Sequence, residues 1–309
     1  MQKLRIVFAG TPGVAVPSLE RLAASGHDLV GAVTRQPAPL GRKRVLTPSP
    51  VAQAAARLDV PVIEANRLDA DVTARIAGLA PDLGVIVAYG GLVREPLLST
   101  PVHGWINLHF SLLPAWRGAA PVQRSLIAGD AVAGASVFRL VAELDAGDVY
   151  AELRHELQGD ETAGELLGQL AGSGAELLSG VVDAIAGGSA RAVPQQGEPS
   201  FAPKLTIDDA RLDWSRGATE IRDRFRGVTP EPGAWTTIEE QRVKVLDLVP
   251  AGDGAPSLAP GELVVSARRV LVGTGSTPLE LRRVQPAGRP AMDAGDWWRG
   301  SGRSSAAAR

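Results

Sequence analysis

Short apolar runs alternate with segments of helical apolar spacing from residue 4 onward, and this alternation restricts the first half of the chain to a parallel sheet covered by helices. Leu4 to Ala9 is a continuous apolar run, Gly10-Thr11-Pro12-Gly13 is a turn, and Val16, Leu19, Leu22 and Ala23 follow at helical spacing with Pro17 near the start. The same reading predicts strands over 28–34, 60–63, 83–88, 105–109 and 135–141, and helices over 51–58, 69–79 and 121–128. A longer helical pattern from Thr162 to Ile185 stops at Gly187-Gly188-Ser189. Beyond about residue 207 the runs become short and β-rich, at 242–249, 262–265 and 270–272, with Gly and Pro clusters between them. The expected fold class is α/β: a Rossmann-like, doubly wound, mostly parallel sheet, followed by a smaller C-terminal β-barrel of OB-like type. The expected boundaries are 1–189 for the first domain, 190–207 for a linker, 208–300 for the barrel and 301–309 for a disordered Ser/Ala/Gly/Arg tail.

With 309 residues, 45% of them hydrophobic, the chain can fill two packed cores. It has no cysteine, which excludes disulfides and thiolate metal sites and suits a reducing, cytoplasmic setting. No stretch approaches the roughly 20 apolar residues of a membrane span, so no membrane partner is expected. The first apolar run stops at a turn, unlike the longer core of a signal peptide. The net charge of −2 conceals one acid-free segment between Asp28 and Asp59 that carries Arg35, Arg42, Lys43, Arg44 and Arg57.

Two places could hold chemistry. The turn Ala9-Gly10-Thr11-Pro12-Gly13 resembles a phosphate-binding turn, yet it lacks the G-x-G-x-x-G spacing and reads better as a tight strand-to-helix connection. The segment Trp105-Ile106-Asn107-Leu108-His109 is stronger, because a strand's two-residue period puts Asn107 and His109 on one face at the end of a central strand. Downstream, Leu144-Asp145-Ala146-Gly147-Asp148 follows another apolar strand and could bring a carboxylate back over the sheet edge. An amide, an imidazole and a carboxylate together suit acyl transfer from an amide-like donor to an amine. Asn107 and a protonated His109 would donate to the developing oxyanion, and Asp145 would favour the imidazolium and relay a proton. An α-amino group, with a pKa of about 7.7 to 8.0, needs no protein nucleophile to help it attack.

The runs INLHFSLLPAWRGAAPVQ, VIVAYGGLV, FAGTPGVAVPSL and LDAGDVY resemble the methionyl-tRNA formyltransferases, as do FAPKLTIDDARLDWS and Gly233-Ala234-Trp235-Thr236 in the second domain. The resemblance covers nearly the whole chain and implies the following. Asn107, His109 and Asp145 would be catalytic, and 10-formyltetrahydrofolate would be the cosubstrate, without a metal. Its site would be formed by Val87, Ala88, Tyr89, Gly90 and Leu92 through their backbone, and by the loop Ser111, Leu112, Leu113 and Pro114. Initiator methionyl-tRNA would be the acceptor, bound by a monomer through the barrel domain and through a basic loop holding Arg35, Arg42, Lys43 and Arg44. In that loop the family's usual Pro-Asp pair and Gly-Arg-Gly run are replaced, with the acid lost and a Lys in place of a Gly. Other readings are a folate-dependent formyltransferase acting on a small amine such as glycinamide ribonucleotide or an amino-sugar nucleotide, a non-enzymatic RNA-binding protein, and a nicotinamide-dependent dehydrogenase. The residues from about 208 onward weigh against the first, an idle Asn-His-Asp set against the second, and the missing glycine fingerprint against the third.

Overall fold

Continuous runs such as Ile6-Val7-Phe8 and Val85-Ile86-Val87 are buried on both faces, which is what a parallel strand between two helical layers requires. In the computed structural model, which describes residues 2–41, 43–302 and 305–309, these runs form the centre of a seven-stranded sheet. Its strands are β1 (Arg5–Gly10), β2 (Asp28–Thr34), β3 (Val62–Glu64), β4 (Leu83–Val87), β5 (Trp105–His109), β6 (Val132–Arg139) and β7 (Val149–Glu156). They lie in the order β3-β2-β1-β4-β5-β6-β7. The first five are mutually parallel, and β6 and β7 add on antiparallel. The order reverses between β1 and β4, so a crevice opens at their carboxyl ends, where Gly10 pairs with Val87. The strand β7 was not expected from the sequence. It lies at the sheet edge and alternates half-buried with exposed residues such as Glu152 and Arg154, so it shows no continuous apolar run.

Helices α1 (Val16–Ala23), α2 (Pro50–Arg57) and α3 (Ala70–Gly78) connect the parallel strands. Two have side-chain caps. Ser49 Oγ accepts from Ala52 N at 3.0 Å to start α2, and Asp69 Oδ1 accepts from Val72 N at 3.0 Å to start α3, each worth about 1 kcal/mol. Ser49 also bonds Thr34 Oγ1 at 2.6 Å, tying the start of α2 to the end of β2. Gly84 has a packing reason: a Cβ there would overlap the indole of Trp105, which is fully buried and donates Nε1–H to Leu97 O at 2.9 Å.

The chain divides into two compact units, and the division interleaves. Residues 122–131 and 157–166 cluster with 203–309, so the ends of helices α4 (Pro121–Ala128) and α5 (Ala163–Ala186) lie in different units. Residues 190–202, expected in a linker, belong to the first unit. Val193 pairs with Val149, and Phe201–Ala202 pairs in parallel with Arg117–Gly118.

The second unit is an antiparallel sheet of β8 (Trp235–Ile238), β9 (Gln241–Pro250), β10 (Glu262–Ser266), β11 (Arg269–Val272), β12 (Leu279–Pro286) and β13 (Ala306–Ala307), in the order β8-β9-β12-β11-β10-β13. Helices α6 (Ala218–Gly227) and α7 (Ala294–Ser301) pack on it, and Trp214, Ile221, Phe225, Val245, Leu281 and Trp298 are among its core residues. Register shifts around Val245 to Leu248 mark bulges that help a strand bend. The sheet closes on itself: Thr237 N donates to Arg309 O at 2.9 Å, and Arg309 N returns the bond at 2.7 Å. The tail expected to be disordered is therefore, over residues 305–309, the element that closes the barrel. Trp214 Nε1–H reaches Thr236 Oγ1 at 2.8 Å, and that hydroxyl donates to Arg309 O at 3.0 Å, so a core side chain fixes the closing segment.

Candidate active site

At the carboxyl end of β5, Asn107 sits opposite Ile86 of β4 and Phe138 of β6, and His109 sits opposite Ser136. Alternation therefore puts both side chains on one face, as the sequence predicts. The Asn107 carboxamide is half-buried and hydrogen-bonds no other described residue. The His109 ring is buried, meets the Phe138 ring edge-on at 6.4 Å between centroids, and places Nε2 2.8 Å from the Trp116 carbonyl oxygen. A carbonyl only accepts, so Nε2 carries the proton and Nδ1 is left as the acceptor in the neutral ring. Nδ1 lies 3.9 Å from Asp145 Oδ2, beyond a direct hydrogen bond.

Asp145, Asn107 and His109 are thus the sequence-predicted residues at this edge, with Asp145 brought to His109 by a left-handed turn at φ 46°. Its Oδ2 accepts from Gly118 N at 2.8 Å. Burial pushes the His109 pKa below its ordinary value, and the carboxylate of Asp145 and the Trp116 carbonyl only partly oppose that push, which favours the neutral imidazole over the imidazolium expected from the sequence.

The connection from Ser111 to Gly118 is braced along its length. Ser111 Oγ donates to Ala115 O at 2.6 Å, and Ser136 Oγ both donates to Ser111 O at 2.7 Å and accepts from Leu113 N at 3.1 Å. Trp116 N donates to Ser200 Oγ at 2.9 Å, and Arg117 N donates to Ser200 O at 2.9 Å. Two further residues escaped the sequence reading. Arg117 is buried and gives Nη2 to Gln195 Oε1 at 2.7 Å, while Gln195 Nε2 donates to the carbonyls of Asp145 and Gly147 at 2.8 and 2.9 Å. No periodicity links residues 117, 145 and 195. Gly147 has no room for a side chain, since a Cβ would overlap the Arg139 carbonyl.

The residues expected to meet the folate fall into two groups. Val87 is fully buried in β4, whereas Ala88, Gly90 and Leu92 are exposed beyond it, with Ala88 and Gly90 at φ 49° and 74°. Tyr89 is buried, donates its hydroxyl to Ala65 O at 2.8 Å, and has its pKa raised by burial despite nearby Arg35. Because β4 and β5 are neighbours, the 88–92 backbone and the Ser111–Pro114 loop leave the sheet side by side. Leu112 and Pro114 are half-buried, but the Leu113 side chain packs with Phe138 and Val149 in a core cluster, which leaves its backbone for any ligand contact. Among the described residues, no three His, Asp or Glu side chains group in a way that could hold a metal ion.

The basic residues separate as well. Arg35 gives Nη2 to Gly90 O at 2.7 Å, so it braces the 88–92 loop. Lys43 and Arg44 are exposed at the turn of a hairpin pairing Ala38–Leu40 with Val45–Thr47, while Arg42 lies outside the described residues.

Residues 4–182 match the family model described as formyl transferase, and residues 204–302 match that of the formyl transferase C-terminal domain. A methionyl-tRNA formyltransferase from Clavibacter sepedonicus is 60% identical over 297 residues, covering 96% of this chain and 97% of the relative. The chain belongs to the methionyl-tRNA formyltransferase family. More distant structures share the fold. An N-formyltransferase from Helicobacter canadensis, in complex with folinic acid and dTDP-3-aminofucose, aligns with a TM-score of 0.69 at 13% identity, over 90% of this chain and 98% of its own. HypX from Aquifex aeolicus aligns with a TM-score of 0.69 at 15% identity, over 97% of this chain and 48% of its own. For a member of the methionyl-tRNA formyltransferase family, Asn107 and His109 fall in the first matched domain, as does Asp145, while Gln195 lies between the two matched regions.

Proposed function

We propose that this chain transfers the formyl group of 10-formyltetrahydrofolate to the amino group of methionine carried by initiator tRNA. The observation that carries the reading is the approach of Asp145 to His109 at the carboxyl edge of the sheet, with Asn107 on the same strand face. Bound there, 10-formyltetrahydrofolate supplies a formyl carbon open to attack by an amine. The exposed backbone of Ala88 and Gly90 offers hydrogen-bonding groups for a pteridine, and the exposed Leu92 side chain offers apolar surface beside it.

The Asn107 amide donates to the formyl oxygen as negative charge develops on it. His109 enters neutral, with Nε2–H held by Trp116 O, and its Nδ1 accepts the proton that the attacking amine must lose. Asp145 stabilises the imidazolium that results. The proton then passes to the departing nitrogen. One C–N bond forms, one breaks, and one proton moves from the first nitrogen to the second, so no covalent enzyme intermediate is needed.

For the tRNA, Lys43 and Arg44 offer charge and exposed Leu40, Val45 and Leu46 offer apolar surface on the hairpin. The second unit adds a cavity of about 830 Å³ whose lining sets Arg211, Arg216 and Arg224 against Asp208, Asp213 and Glu220, so its charge is balanced and it offers polar contacts but no net positive charge. We take the first unit, which runs on through residue 202, as the catalytic domain and the second, which includes residues 203–309, as the tRNA-binding domain of a cytoplasmic monomer. The test incubates the protein with charged initiator tRNA and labelled formyl donor. Label on methionyl-tRNA is expected, and label on a small amine, or on neither acceptor, would contradict the proposal.

A further inference from the structure

The Gln195 carboxamide bridges Arg117 and the Asp145–Gly147 turn. Its Oε1 takes Nη2–H of Arg117 at 2.7 Å and Nε–H at 3.2 Å, and its Nε2 donates to Asp145 O at 2.8 Å and Gly147 O at 2.9 Å. The amide orientation follows from the partners, since a guanidinium only donates and carbonyls only accept. All four contacts converge on one half-buried side chain, which lies in a stretch where only Val193 and residues 201–202 are paired as strands.

We infer that Gln195 is a positioning residue for the formyl transfer, holding Asp145 at its distance from His109 by gripping the backbone of the Asp145–Gly147 turn. Asp145 occupies a left-handed conformation at φ 46°, uncommon for a residue with a side chain although aspartate tolerates it better than most, so the bonds to its neighbours help decide where the turn settles. Gly118 N fixes its carboxylate, and Gln195 fixes its carbonyl, so the residue is held at both ends. Arg117, buried and carrying its own strand pairing with Phe201, is the anchor on the other side of the amide. Without the two donated bonds the turn can relax toward an ordinary backbone conformation, carrying the carboxylate away from Nδ1.

This inference rests on the catalytic reading of Asp145, and the experiment separates the two. Gln195→Glu keeps the shape and the acceptor for Arg117 but turns a donor into an anionic oxygen facing two carbonyls. It should lower kcat by at least about 10-fold, as expected when a reacting group is misplaced by a fraction of an ångström, and Gln195→Ala by about 10- to 100-fold. KM for methionyl-tRNA and the dissociation constant for the folate should stay near native in both. In an Asp145→Asn background the same Gln195→Glu change should cost little more, because the group it positions has already lost its charge. Native-like kcat in Gln195→Glu, alongside a strongly impaired Asp145→Asn, would overturn this inference alone. So would fully additive losses in the double variant. Native-like kcat in Asp145→Asn would overturn the catalytic reading, and this inference with it. If Gln195→Ala fails to fold, Gln195→Glu decides the question.

Discussion

Two loops of the first unit differ sharply in how they are held. The Ser111–Gly118 connection has its hydroxyls, carbonyls and amides tied to Ser136, Ser200, Asp145 and its own residues. The 38–47 hairpin is pinned chiefly by its own short ladder, and it exposes Leu40, Val45 and Leu46 by 60 to 68% beside Lys43 and Arg44. In the proposed reaction the first holds Trp116 O against His109 within tenths of an ångström, because catalysis is lost when reacting groups shift by about 1 Å. In the same proposal the second conforms to a large polyanion, for which exposed charge and adaptable apolar surface are better suited than rigidity. Preorganisation is thus concentrated at the edge where the proposed chemistry lies.

The contrast can be broken most severely at Gly147. Gly147→Ala drives a methyl into the Arg139 carbonyl, so the turn must move; stability should fall by about 2 to 3 kcal/mol and formylation to a few per cent or less. Calorimetry and turnover at 25 °C check both, and a native-like variant would show the turn to be loose. Next come Asn107→Ala, which removes a donor to the developing oxyanion, and His109→Ala, which removes a positioned proton acceptor, each expected to lower kcat by about 10² to 10³ while the fold and the folate affinity persist. Steady-state kinetics with folate titration decide this, and near-native kcat in a folded variant removes that residue from the chemistry.

A subtler probe is the charge of His109. Its pKa is lowered in the folded chain, so as pH falls through the ordinary value of about 6.5 the unfolded chain takes up a proton that the folded chain refuses. Folding stability should therefore fall with pH in that window, more steeply in the native protein than in His109→Ala. The His109 imidazole resonances should titrate below about 6.5, and a midpoint above it would restore the imidazolium of the sequence reading. The smallest effect belongs to the hairpin. Lys43→Ala with Arg44→Ala should leave stability and folate binding unchanged, weaken tRNA binding, and flatten the slope of log K against log salt by roughly 0.7 to 0.9 per lost phosphate contact. An unchanged slope would make these two cations plain solvated surface.

Local patterns in the sequence carried the parts of this design that depend on neighbours in the chain. The buried runs of β1 and β4 and the two-residue spacing of Asn107 and His109 are readable because strand geometry repeats locally. Gln195 and Arg117 are invisible to such patterns, since their partners lie 50 and 78 residues away in sequence. The closing segment at 305–309 was misread for a related reason. Ser, Ala and Arg carry little strand preference, and it is the reciprocal bonds with Thr237 that order them. The protonation of His109 is not legible in the sequence, because it depends on how burial of the ring competes with the nearby Asp145 carboxylate.

The central claim is that a rigid Asn-His-Asp edge performs the transfer while the hairpin only helps to present the acceptor. Single-turnover formylation of charged initiator tRNA, at saturating tRNA and formyl donor, tests it most directly when the native protein, His109→Ala and the Lys43→Ala/Arg44→Ala double variant are run side by side. The His109 variant should be slower by about 10² to 10³ with the donor still bound, and the double variant should match the native rate once tRNA is saturating. Equal rates for His109→Ala and the native protein would contradict the assignment of the chemistry to this edge.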